Sequence, residues 1–183
     1  MFRFIFILVL PFLVVSCSLP GTQDENAVVV ENTITYEDNL VSMRVPKTWS
    51  GKTDNLPTPR IGSIVAAFVS ADVKQGFANN LLIISDTLVN IMTSRRYSEL
   101  NNLQTKKNYY EYASLKEEDM SFNDNETTRV YVFEAKYNET TPKLKFIQTA
   151  RVCGPKVYLL HFTLSPDKKS DNYISLLKTF TCK

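Results

Sequence analysis

The chain has 183 residues, with 21 Lys and Arg against 19 Asp and Glu, one His and a formal net charge of +2. That length suits one domain with one core, and the near-even charge gives no electrostatic footprint for nucleic acid or an anionic membrane face. Five scattered glycines exclude a phosphate-cradling loop, and one His with three Cys lacks the close ligand spacing of a zinc site. We expect no nucleic-acid partner, no metal and no cofactor.

Met1 to Arg3 carry one positive charge, and Phe4 to Val15 carry none. Such a run matches the core of a secretory signal, whereas a helix that crosses a bilayer needs about 20 apolar residues. Pro11 also interrupts it. Val14-Val15-Ser16-Cys17 resembles the bacterial lipobox. That resemblance implies a lipoprotein signal peptide over residues 1–16 and diacylglyceryl attachment to Cys17, the new first residue. The alternative is ordinary secretion, since Val14 and Ser16 also fit the small-residue rule of a plain signal peptidase. Two or more acyl chains anchor firmly, at about 0.8 kcal/mol per buried methylene. The lipid on Cys17 would hold the chain on the extracytoplasmic side of a bacterial membrane. Ser18, in place of Asp, implies the outer membrane where the cell envelope has two. Residues 17–32, with Pro20, Gly21 and "TQDEN" and no aromatic, read as a flexible tether. A coil of about 15 residues spans roughly 20 Å.

Residues 33–183 read as a single α+β domain. "TITYEDNLVSMRVP" alternates as a hairpin, with Ile34 and Tyr36, a turn at Glu37-Asp38-Asn39, then Val41, Met43 and Val45 on one face. Pro46 ends it and Trp49 follows, before a loop, "GKTDNLPTPR". "SIVAAFVS" (63–70) and "NLLIISDTL" (80–88) are continuous apolar runs, expected as central strands buried on both faces. Over 94–107 the period lengthens: Tyr97, Leu100 and Leu103 predict an amphipathic helix, capped by Ser94, whose apolar stripe covers the sheet. Strands are predicted at about 109–121, 127–137, 143–152 and 156–164. Their turns "NDNE", "NETTP" and "CGPK" make an antiparallel meander. Ser165 and Pro166 suit the start of a last helix with Tyr173, Leu176, Leu177 and Phe180 on one stripe.

Oxidising export conditions make a Cys153–Cys182 disulfide the natural expectation. Cys153 sits at the "CGPK" turn. The next strand leaves that turn and the last helix returns toward it, bringing Cys182 back.

This order of elements, with "LVSMRVPKTW" at the start, "KVYLLHFTLS" in the meander and "YISLLKTF" at the close, resembles the PsbP-like superfamily. Pro46 and Trp49 are similar to its P-x-x-W mark, and Lys156-Val157-Tyr158 to the strand that follows its Gly turn. The resemblance covers about residues 33–181 and implies an antiparallel β-sheet flanked by helices, an α/β/α sandwich. It includes many bacterial lipoproteins and transfers no activity, because folds host many functions.

His161, in "YLLHFTLS", is the only histidine available to a His-dependent hydrolase, and no G-x-S-x-G elbow accompanies it. Glu117-Glu118-Asp119 are a conceivable cation site, with a solvated strand end as the plainer reading. Tyr110 and Tyr112 are expected on one strand face and Tyr109 on the other. With Trp49 they form the candidate interaction surface, since aromatic residues favour interfaces; for Trp49, packing near its strand end is preferred. No catalytic residue is assigned. The function expected first is a non-catalytic lipoprotein that docks an unknown envelope protein. The alternative is a small-ligand-binding lipoprotein with a pocket between helix and sheet, and a hydrolase comes third.

Overall fold

The computed structural model describes residues 32–74 and 76–183. The signal peptide, Cys17 and all of the tether except Asn32 lie outside them. Strands β1 (Thr33–Glu37) and β2 (Val41–Pro46) form the opening hairpin. Its turn is held by Asp38, whose Oδ1 accepts from the amides of Leu40 (2.7 Å) and Val41 (2.8 Å), the side-chain turn that favours Asp in such places. A short final strand, β10 (Thr181–Cys182), adds to the free edge of β2, giving a three-stranded sheet of order β1-β2-β10. Val41, Met43 and Val45 are buried, but Ile34 on the outer strand is exposed, so β1 contributes only Tyr36 to the core.

The second sheet has seven strands: β3 (Trp49–Gly51), β4 (Ser63–Lys74), β5 (Phe77–Thr87), β6 (Tyr110–Ser121), β7 (Thr127–Lys136), β8 (Leu144–Cys153) and β9 (Lys156–Leu164). Their order is β3-β4-β5-β9-β8-β7-β6, antiparallel throughout. The predicted meander runs from β6 to β9, and β9 then pairs with β5. Asn125 and Gly154 take positive φ (68° and 59°) in two of its turns, conformations that Asn and Gly adopt most readily.

The main core lies between the two sheets. Alternate residues of β5, β7 and β9 point into it, among them Leu81, Ile83, Val132, Leu160 and Phe162, as the two-residue period of a strand requires. Helix α2 (Ser170–Leu177) lies in the same layer as the small sheet and contributes Tyr173, Ile174, Leu176 and Leu177. Each such fully buried side chain contributes about 1.5–3 kcal/mol. The predicted start of this helix is corrected. Ser165 is engaged with Asn79, whose Oδ1 accepts from its amide (2.7 Å) and hydroxyl (3.0 Å), so it caps nothing and α2 begins five residues later. Cys153 and Cys182 form the expected disulfide, with Cα atoms 5.7 Å apart. The return that brings them together is made by the pairing of β10 with β2 and not by a long helix.

Helix α1 (Ser94–Asn108) lies on the opposite face of the large sheet, against β7 and β8. Its cap is Thr93, which accepts from the Arg96 amide at 3.1 Å, and not Ser94. The face it buries is polar: Ser94, Ser98, Asn102 and Thr105. Ser94 Oγ donates to Glu126 (2.9 Å) and accepts from the Val152 amide (2.9 Å), and Ser98 donates to the Arg129 carbonyl (2.6 Å). The predicted apolar stripe is thereby turned away from the strands beneath the helix. Tyr97, Leu100 and Leu103 point sideways, along the sheet.

Candidate functional site

Seven strands about 4.8 Å apart make a sheet roughly 30 Å wide, while a helix is about 10 Å across and covers two or three strands. Because α1 sits on β7 and β8, the same face of β4, β5 and β9 is covered by the helix only at its near edge, where Tyr97 packs on the cluster of Ala150, Val157 and Leu159. The result is a cleft of about 1290 Å³. Its floor is Ile64 and Val69 of β4, Leu82 and Ile84 of β5, and Leu159 of β9. These side chains alternate with Leu81, Ile83 and Leu160, which point into the core. A bulge between Ile64 and Ala66 in β4 puts Ala67 on the cleft face as well. One wall is α1, through Leu100 (37% exposed) and Leu103 (52% exposed). The other is the loop from Lys52 to Gly62, through Leu56, Pro57 and Ile61. Gly62 (φ +65°) closes that loop against the Ser85 carbonyl, where a Cβ would collide with backbone.

Polar groups are few and specifically placed. Under α1, Thr105 Oγ1 donates to Gln148 Oε1 (3.1 Å), and Gln148 Nε2 lies 3.3 Å from His161 Nδ1. Complete burial lowers the His161 pKa to about 4, because the charged ring would lose its hydration. The ring is therefore neutral at pH 7. With Nδ1 accepting from the amide, its proton is on Nε2. Among the described residues, no carboxylate or nucleophilic Ser or Cys hydrogen-bonds to His161, so the relay of a His-dependent hydrolase is not assembled.

The C-terminal end of α1 adjoins a second, more polar recess of about 640 Å³, lined by Arg60, Lys107, Asn108, Tyr109, Tyr137 and Asn138. Tyr137 and Thr163 share a hydroxyl–hydroxyl bond of 3.1 Å. The Tyr109 ring packs edge-on to Phe133 (5.9 Å) and Phe146 (5.0 Å). Burial raises the pKa of its phenol, and the positive charge of Arg60 opposes that rise. Arg60, on the loop wall, therefore reaches toward Tyr109 on the helix wall.

The candidate interaction residues separate. Trp49 leaves the candidate surface and takes the packing role preferred for it: it is 7% exposed and packs against Phe162 (5.8 Å) and Tyr173 (6.2 Å). Its strand holds it on the side away from the cleft. Tyr109 and Tyr112 turn to the same side, both against Phe133, while Tyr110 is exposed on the other. The expected parity fails because Tyr109 is the cap of α1 and Glu111 takes φ 51° at a slip in register between Tyr110 and Ala113. Tyr112 OH donates to Asn102 (3.1 Å), tying β6 to α1. Glu117, Glu118 and Asp119 each have a cation: Lys106 (3.2 Å), Lys116 (3.0 Å) and Arg95 (2.9 Å), respectively. Among the described residues no three His, Cys, Asp or Glu converge as metal ligands.

Residues 63–70 and 80–88 supply most of the cleft floor. Their continuous apolar runs fit strands with both faces covered, but in this fold the second cover is incomplete. Comparison of the sequence alone places the chain nowhere: no protein-family model matches it, and no curated protein does. The fold does have neighbours. The solution structure of cyanobacterial PsbP (CyanoP) from Synechocystis sp. PCC 6803 is similar with a TM-score of 0.57 at 11% identity, over 83% of this chain and 93% of that one. A protein of unknown function from Pseudomonas aeruginosa, PA94, is similar with a TM-score of 0.49 at 12% identity, over 81% of this chain and 95% of that one. The fold is PsbP-like, and identities this low carry the architecture alone.

Proposed function

We propose that this PsbP-like chain is a non-catalytic, lipid-anchored lipoprotein of a bacterial envelope, whose cleft between α1 and the sheet holds an apolar ligand. The observation that supports the binding role is the apolar floor left partly open at Ile64, Leu82 and Ile84, walled by a helix that turns its leucines sideways. A concave, mostly apolar site with a few placed polar groups is the usual form of a small-molecule pocket. Leu100 and Leu103 would otherwise be misplaced, since they stabilise no packing under the helix.

The test uses the full chain and Nile red, an uncharged apolar dye. It should bind with a fluorescence rise, and Leu100→Glu/Leu103→Glu should weaken binding by at least about tenfold, or about 1.4 kcal/mol. Both side chains are partly exposed, so the variant should stay folded, within about 0.5 kcal/mol per site. Failure of the wild-type chain to bind the dye refutes the reading. A second reading, docking of an envelope protein partner, draws on Val89 (94% exposed) and Ile91 (104% exposed), which stand in solvent beside Met92 at the other end of the cleft. Photo-cross-linking from Val89 in the native envelope distinguishes it.

A further inference from the structure

We infer that the ligand of this cleft is a single-chain amphiphile with an anionic head, held tail-inward with its head at Arg60 and Lys107; this rests on the cleft being a ligand site. The charge pattern carries the argument. Over the whole chain, basic and acidic residues nearly balance, 21 to 19. Among the residues that line the cleft and its adjoining recess stand Lys52, Arg60 and Lys107, and no Asp or Glu. Lys52 has a carboxylate, Asp54, at 3.9 Å. Arg60 and Lys107 make no ion pair among the described residues. Elsewhere Arg95, Lys106, Lys116, Lys136 and Lys183 have a carboxylate within 4.0 Å, while Arg44, Lys47, Lys143, Lys145, Lys156, Lys168 and Lys178 have none among the described residues; Arg60 and Lys107 are set apart from these by lining both cavities. Two unpaired cations therefore stand where the two cavities meet, one on each wall.

Around them the chemistry changes from apolar to polar over a short distance. Tyr109 is the boundary, because its ring packs with Phe133 and Phe146 while it lines both cavities. Among the described residues nothing hydrogen-bonds to its hydroxyl, which leaves it to donate to a head group. Beyond it lie Asn108 and Asn138, whose side-chain amides can donate, and Tyr137, whose hydroxyl is shared with the buried Thr163. The apolar trough runs beside α1, a helix of 15 residues, for about 22 Å at 1.5 Å per residue. One leaflet's acyl chain spans about 15 Å, half of a hydrocarbon core of about 30 Å, so a single chain fits lengthwise with its head at the cationic end. An uncharged hydrocarbon would leave Arg60 and Lys107 without a role, and a cationic amphiphile would be repelled by them. A carboxylate or a phosphate ester gains charge-assisted hydrogen bonds there.

The experiment measures displacement of Nile red from the full chain by palmitate, by lysophosphatidylglycerol and by uncharged monopalmitoylglycerol. Palmitate or lysophosphatidylglycerol should bind about tenfold more tightly than monopalmitoylglycerol at low salt. Whichever of the two acids binds better identifies the head as carboxylate or phosphate. The preference should shrink at about 0.5 M salt, where screening lengths fall to a few ångströms. Arg60→Glu/Lys107→Glu should abolish the preference while Nile red still binds, since both side chains lie at the end of the trough. Equal affinity of all three amphiphiles for the wild-type chain, or an unchanged preference in the double variant, overturns the inference and leaves the cleft's apolar-ligand role standing. Absence of Nile red binding overturns both.

Discussion

Removal of the disulfide should loosen one end of the molecule and weaken the whole. Cys153 ends β8 and Cys182 lies in β10, with 29 residues of sequence separation. In the chain-entropy account, closing a loop of that length restricts the unfolded chain by about 3.5 kcal/mol. Little else holds β10 in place. It pairs with β2 through Thr181 and Cys182 only, helped by the Ser42–Thr181 hydroxyl contact at 2.8 Å and the Lys183 amide on the Leu40 carbonyl at 2.9 Å. For a domain of this size each kcal/mol moves Tm by about 2–4 °C, so reduction, or Cys153→Ala/Cys182→Ala, should lower Tm by about 7–14 °C. The assay is thermal and urea unfolding of the oxidised, reduced and doubly substituted chain. Amide exchange should rise first over residues 181–183 and their partners on β2, because those bonds lose their tether. A stability unchanged to within about 1 kcal/mol would refute the reasoning, and would mean that Phe180 packing, the β10–β2 pairing and the Lys183–Glu37 ion pair suffice to secure the chain's end.

Acid should destabilise the domain partly through His161. Its folded pKa is about 4, below the unfolded value of about 6.5, so between those values the unfolded chain binds a proton that the folded one refuses. Stability is full above about pH 6.5 and falls as pH drops toward 4, by up to about 3 kcal/mol. His161→Gln, compared with wild type by urea unfolding at about pH 7.5 and about pH 5, should lose less on acidification; an equal loss would count against a neutral buried ring. Gly62→Ala should destabilise by more than about 1 kcal/mol, since positive φ and collision with the Ser85 carbonyl act together. It should also impair Nile red binding by displacing the loop wall, and a thermal midpoint equal to wild type would contradict the close approach. Cys17→Ser should release the protein from membranes or leave its precursor uncut. Unchanged membrane attachment, measured by fractionation, would reject lipidation at that residue.

Periodicity in the sequence was enough to place eight of the ten strands of the described residues and both helices approximately, because alternation in "RVYVFEAKYN" and turn formers at "NDNE" and "CGPK" act locally; the short β3 and β10 are defined only by their partners β4 and β2. The disulfide partners were also expected correctly, although the return that joins them is the distant pairing of β10 with β2 and not the expected long helix. Boundaries that depend on a distant partner were not legible: the Ser165 hydroxyl is taken by Asn79, and the Ser94 hydroxyl by Glu126 and Val152. Trp49 carries the same residue letter whether it packs under β9 or faces solvent, and only the sheet order decides that it packs.

The cleft lies wholly on the tertiary side of this division. An apolar residue in a strand reports that its face avoids water, without saying what covers it. Likewise the stripe of Tyr97, Leu100 and Leu103 reports an apolar helix face, but not the direction in which it is aimed. That direction was decided when Ser98, Asn102 and Thr105 took the sheet-facing side through hydrogen bonds to β6, β7 and β8. The sequence by itself determined which segments are strand or helix and which side chains shun water, because those properties follow from neighbours a few residues away. Only the assembled sheet, wider than its one helix, decided that part of that apolar surface would be left open as a site.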